Sequence, residues 1–290
     1  MNSATSTRLA TQARTFLLLA GLTAILLVVG QLVGGRAGLL LFGVLAIVMN
    51  FASYWFSDKM AIKMSRAQPL AESDDPELFA MTARLAQRAG VPMPRLYRIP
   101  QEQPNAFATG RNPSHAAIAV TDGLRRYMPP QQLEGVLAHE FAHIANRDIL
   151  IQSIGAMIAG VIGAIATFLQ FSMLFGGGDD EDSGPLGFVG AMAAMILAPI
   201  AATILQLAVS RQREYRADAT AAQYMGQSEP LASALETLQR GAAALPMQVN
   251  PASEPLYIIS PLSGKGLAGL FATHPPLEDR IRRLRSMRLA

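Results

Sequence analysis

The chain has 290 residues, 51% of them hydrophobic and only 16% charged, with a mean hydropathy of +0.27. Soluble domains carry about 25% charged residues, so much of this sequence is suited to lipid. There is no Cys, which excludes disulfide scaffolds, thiolate metal sites and thiol nucleophiles, and leaves any metal to His, Asp and Glu. The net charge of +3 is scattered, without a Lys/Arg block, and nucleic acid is set aside as a partner.

In chain order, four stretches reach the length of about 20 mostly apolar residues that a helix needs to cross a bilayer: residues 15–33, 37–56, 149–175 and 186–209. The first exceeds a signal-peptide core and lacks a small-residue cleavage site, so it is read as a retained anchor. Residues 34–36 suffice only for a turn, which makes residues 1–56 an N-terminal transmembrane hairpin. A second hairpin spans residues 149–209, its loop at 176–185 Gly-rich and acidic. The basic flanks Arg8, Arg14, Lys59, Lys63, Arg66, Arg147, Arg211, Arg213 and Arg216 all fall on one side, predicted to be cytoplasmic together with both termini.

Residues 57–148 and 210–290 remain on that side as two parts of one polar domain. In the first part, residues 75–89 form an amphipathic helix, with Pro76 at its start and Gly90 as its C-cap. Short strands are expected at 95–99, 106–109 and 116–120, and a further helix begins at Pro129 and Pro130. The second part is mainly helical, with helices at 231–244 and 276–287, while residues 241–268 match no motif.

The helix after Pro130 carries His139-Glu140-Phe141-Ala142-His143. Residues four apart share a helical face, so both imidazoles can reach one Zn2+, with Glu140 beside the position of a metal-bound water. A catalytic zinc needs a third protein ligand and an open fourth position. Glu214 is the candidate: at 1.5 Å per helical residue, His143 and Glu214 stand at similar heights, about 7–10 Å above one bilayer face. Asp218, four residues on, can orient a ligand histidine. The competing readings are a plain ion pair with a nearby Arg for Glu214 and an exposed helix acid for Asp218.

These motifs, with Asn146-Arg147-Asp148, Arg213-Glu214-Tyr215-x-Ala217-Asp218, Asn105-Ala106-Phe107-Ala108-Thr109-Gly110 and His274-Pro275-Pro276-x-x-x-Arg280, resemble the HtpX family of membrane zinc metalloproteases, related to the CAAX prenyl proteases. The likeness covers nearly the whole chain. It implies zinc, one per chain, on His139, His143 and Glu214, with Glu140 as general base. It further implies a multi-pass endopeptidase of the bacterial inner membrane that degrades misfolded or damaged membrane proteins at the cytosolic face. His274 is then a candidate oxyanion donor, with a helix-capping turn as its rival, and Tyr215 is a weaker one. Arg280 either orients Asp218 or a ligand, or is a surface charge. Residues Asn105, Ala106, Phe107 and Ala108 are candidates for holding an extended peptide on a strand edge, against an ordinary edge strand. The fold expected is a mainly α membrane protein of four transmembrane helices in two hairpins. Its α+β cytosolic domain is zincin-like, with a small edge sheet beside the motif helix.

Two rivals are weighed. An intramembrane protease would carry the motif inside an apolar run, whereas here polar residues flank it on both sides. A non-catalytic four-span scaffold with a structural zinc would show four protein ligands, and three are found. The oligomeric state is left open.

Overall fold

The computed structural model describes residues 3–158, 211–245, 247, 249, 251–261 and 275–289. The predicted span 186–209, most of the span 149–175, the loop 176–185, residues 262–268 and His274 lie outside the described residues.

Helical geometry runs from Ser3 to Met64, here α1. It is not one rod. Asn50 Nδ2 lies 2.8 Å from Thr23 Oγ1, whereas 27 residues of straight helix would hold them about 40 Å apart. The chain reverses at Gly35, which takes a left-handed φ of +53°, and the backbones of Gly30 and Gly38 touch where a Cβ would collide. The returning arm, Gly35–Met64, is long and apolar enough to cross a membrane, with only 11% of its most apolar window buried. Leu40 and Ile47 on it are each 70% exposed.

The sheet has the order β1-β2-β4-β3, where β1 is Gln68–Pro69, β2 Arg95–Ile99, β3 Ala106–Gly110 and β4 Ala116–Thr121. β2 and β4 run parallel, with Leu96 opposite Ile118; β3 is antiparallel to β4, with Ala108 opposite Ile118. The three expected strands are thus present, and β1 is added. Two residues, one of them Pro, carry too little pattern to be recognised as a strand.

Helices cover one face of the sheet. α2 (Pro76–Ala89) is capped by Asp75, whose side chain accepts from Leu78 N–H, and ends on Gly90 at φ +63°. A short α3 (Asp122–Tyr127) leads to the motif helix α4 (Pro130–Ala145). Leu78, Met81 and Leu85 pack there with Leu133, Leu137 and Phe141, and with Leu235, Leu238 and Leu284. α5 (Asp148–Ile158) sets Ile151, Ile154 and Ile158 against Leu22, Leu26 and Ala46 of α1. α6 (Arg211–Met225), α7 (Glu229–Ala244) and α8 (Leu277–Arg285) complete the domain. On the opposite face of the sheet, Ala61 of α1, Phe107, Ala119, Met247 and Tyr257 form a separate apolar cluster.

Candidate metal centre

α4 lies between the sheet and α6, so the middle of the motif helix is sealed: His139, Glu140 and His143 are all buried. α6 brings Glu214 to the same place. One nitrogen of each histidine and a Glu214 oxygen lie within 4.8 Å of one another. His139 Nε2 and His143 Nε2 are 3.1 Å apart. They stand 3.6 Å and 3.4 Å from the Glu214 oxygens Oε2 and Oε1. Tetrahedral ligands bonded to Zn2+ at 2.0–2.2 Å sit about 3.3–3.6 Å from one another, so these separations, each imidazole reaching a different Glu214 oxygen, are of the size a zinc site needs. Ca2+ is a poorer match, because it takes 6–8 oxygen ligands at longer range.

Each imidazole turns its other nitrogen to a carboxylate. His139 Nδ1 is 2.9 Å from Asp218 Oδ1, and His143 Nδ1 is 3.2 Å from Asp148 Oδ2. In the neutral tautomers that donate from Nδ1, the two Nε2 lone pairs would face each other, an arrangement that a proton or a metal cation between them relieves. Burial disfavours a charged imidazole, yet the Glu214 and Asp148 carboxylates outweigh it and hold His143 protonated up to about 10 in the metal-free chain. His139 is displaced the same way: burial opposes its charge, and Asp218 and Glu214 prevail.

Asp148 is a partner that the sequence does not announce. α4 ends at Ala145, and Arg147 takes a left-handed φ of +62°, which turns the chain so that Asp148 comes back under His143. Left-handed residues are usually Gly or Asn, so an Arg there gives no warning. Asp148 Oδ1 also meets Arg216 Nη2 at 3.4 Å, tying α5 to α6. Asp148→Ala is expected to weaken zinc binding about 10–100-fold in competition with a chromophoric chelator. Unchanged affinity would show that His143 needs no such support.

Asp218 is in turn clasped by Arg280 of α8, whose Nε and Nη2 donate to its two oxygens at 2.9 Å and 2.7 Å. Arg280 is fully buried, so its surface-charge alternative is set aside. Its charge, against the cost of burial, keeps the Asp218 carboxyl below the ordinary carboxylate range. Tyr215 packs its ring 3.9 Å from the Arg283 guanidinium.

Glu140 faces β3. Its carboxyl lies beside the Ala108 backbone N–H, and burial raises its pKa above the usual carboxylate value despite the two neighbouring histidines. Asn105, Ala106, Phe107 and Ala108 are all buried. Asn105 Oδ1 accepts from the Ala106 N–H, and Asn105 Nδ2 donates to the Ile259 carbonyl at 3.0 Å. Phe107 points away from the metal site, its ring edge-on to Tyr257.

The model of peptidase family M48 matches residues 72–288 of this chain. A protein named protease HtpX homolog from Syntrophobacter fumaroxidans is 53% identical over 278 residues, covering 94% of this chain and 98% of that relative. One so named from Pelotomaculum thermopropionicum is 50% identical over 275 residues, covering 94% and 98%. One from Ralstonia nicotianae is 47% identical over 277 residues, covering 94% and 96%. Among solved structures, the crystal structure of S. mikatae Ste24p has a TM-score of 0.50 at 20% identity, covering 97% of this chain and 67% of that one. That likeness concerns the fold.

Proposed function

This chain belongs to peptidase family M48 and is a metalloprotease, and from that premise we propose that its metal is Zn2+, held by His139, His143 and Glu214. We place it in the bacterial inner membrane with four spans in two hairpins. Its N-terminal hairpin occupies residues 1–56, the second hairpin 149–209, and a cytosolic protease domain is assembled from 57–148 and 210–290. Both termini are cytoplasmic. Its substrates are misfolded or damaged membrane proteins, cut at the cytosolic face. The observation that carries the zinc reading is the convergence of one nitrogen of each histidine and a Glu214 oxygen within 4.8 Å of one another, with Glu140 buried beside them. The apolar arm Gly35–Met64 supports the anchor, as do Tyr54, Trp55, Lys59 and Lys63 near its end, residue types that favour a membrane interface.

When bound, zinc acidifies a water and polarises the scissile carbonyl. Glu140 takes the proton from the attacking water and returns it to the leaving amine. Asp218 and Asp148 fix the tautomers of the two histidines. Buried walls keep other water from the reacting groups. The β3 edge, where Ala108 stands beside Glu140, holds the substrate extended by main-chain hydrogen bonds, which suit varied sequences, while Asn105 and Ala106, whose groups are taken by Thr121, Ile258 and Ile259, support that edge. His274 remains the proposed oxyanion donor on the strength of the His-Pro-Pro motif.

Purified in detergent, the protein is expected to lose cleavage of an unfolded membrane protein on chelation and to regain it with Zn2+. Glu214→Ala is expected to release zinc on dialysis. Proteolysis that persists in chelator refutes metal dependence, and unchanged zinc affinity after Glu214→Ala refutes that ligand.

A further inference from the structure

We propose that residues 256–259 form a fixed stop across one end of the β3 edge, so that a peptide paired with this edge extends toward Gly110 and not past Ala106. The inference rests on the reading above that a peptide pairs with this edge. β3 bonds to β4 through alternate residues, Asn105 O accepting from Thr121 N–H at 3.0 Å. The main-chain groups of Ala106, Ala108 and Gly110 therefore face the other way. Ala106 is fully used: its carbonyl accepts from Ile258 N–H at 3.0 Å and its N–H donates to Asn105 Oδ1 at 3.1 Å. Ala108, whose N–H lies beside Glu140, and Gly110 are left among the described residues to engage a peptide. Successive edge positions lie about 6.7 Å apart, so the strand contacts available to substrate begin beside Glu140 and extend toward Gly110.

The stop is built into the core rather than laid over it. Tyr257 and Ile258 straddle the edge as residues of a strand would: Tyr257 stacks on Phe107 at 5.2 Å on the outer face, while Ile258 enters the core that holds the motif helix. Asn105 Nδ2 binds the Ile259 carbonyl at 3.0 Å, and Arg280 Nη1 the Ile258 carbonyl at 3.1 Å. Residues 256–259 are all buried. Arg280 thus joins the end of the cleft to the Asp218–His139 pair. At the other end, Thr109 Oγ1 meets Ser153 Oγ of α5 at 2.6 Å, and the Arg111 guanidinium sits 4.6 Å from the Trp55 ring of α1. Beyond Gly110 the edge therefore leads toward the apolar helices, the side from which a membrane-derived chain arrives.

The test uses full-length, zinc-loaded protein in detergent and peptides with one cleavable bond, lengthened residue by residue on one side and then on the other. Cleavage efficiency, kcat/KM, is expected to rise about three- to tenfold per added strand contact on one side and to stay flat on the other. The contacts of Asn105, Arg280 and Phe107 hold the segment together with the Ile258 N–H, so the asymmetry is expected to persist in zinc-replete Ile258→Ala protein, which keeps that N–H. Equal gains on both sides in the wild type overturn the stop. N-methylation of the peptide backbone separates the premise from the inference: if no position is sensitive, strand-edge pairing itself fails.

Discussion

Glu140→Gln is expected to lower kcat/KM for peptide cleavage by about 10²–10⁴-fold while zinc content stays at the wild-type level. Gln keeps the shape of the side chain and an oxygen beside the Ala108 N–H, but it cannot act as the base. Glu140 is not one of the three clustered donors, so the metal has no reason to leave. Burial makes the carboxylate a stronger base than an exposed one, since its pKa is pushed above the ordinary value of 4.5. A base is most effective when its pKa approaches the working pH. Zinc analysis and cleavage of an unfolded substrate, measured on the same preparation, decide the point. Activity within tenfold of wild type would place the base elsewhere, and loss of zinc would make Glu140 part of the metal's support.

Local pattern carries far in this chain. Spacing alone puts His139 and His143 on one face of a helix, and the Pro76 and Gly90 boundaries of α2 are written as a proline start and a glycine cap. The tight turn at 34–36 is legible because nothing but a reversal fits between two apolar runs, and the Asn50–Thr23 bond shows that reversal. Long-range coincidence is not legible. Arg280 sits in a basic run with Arg282, Arg283 and Arg285; only its place next to Ile281 and four residues before Leu284 separates it, as part of the buried stripe of α8. The stop at residues 256–259 has neither helical nor strand periodicity, because its bonds go to Ala106, Asn105 and Arg280. Asp148 depends on a left-handed Arg147, a conformation that composition disfavours.

Arg280→Met is expected to destabilise the folded protein by about 3–5 kcal/mol, lowering the apparent Tm by about 10 °C, and to weaken zinc binding as well. Methionine fills much of the same volume, so the loss is chiefly electrostatic. Asp218 would be left as a buried carboxylate without its bidentate partner, and it would lose the charge that holds its pKa down. The Ile258 carbonyl would lose its donor at the same time. A protonated Asp218 accepts less well from His139 Nδ1–H, so the ring that presents Nε2 is held less firmly. The double variant Arg280→Met with Asp218→Asn separates the two effects. With the Asp218 charge removed, part of the stability should return, although Glu214, 3.7 Å from Arg280 Nη1, still loses that cation, whereas zinc affinity should stay low because His139 still lacks the Asp218 carboxylate. A single variant that melts within 2 °C of wild type would mean that Arg280 and Asp218 do not form the buried pair. Full recovery of zinc affinity in the double variant would mean that the pair serves the fold and not the metal.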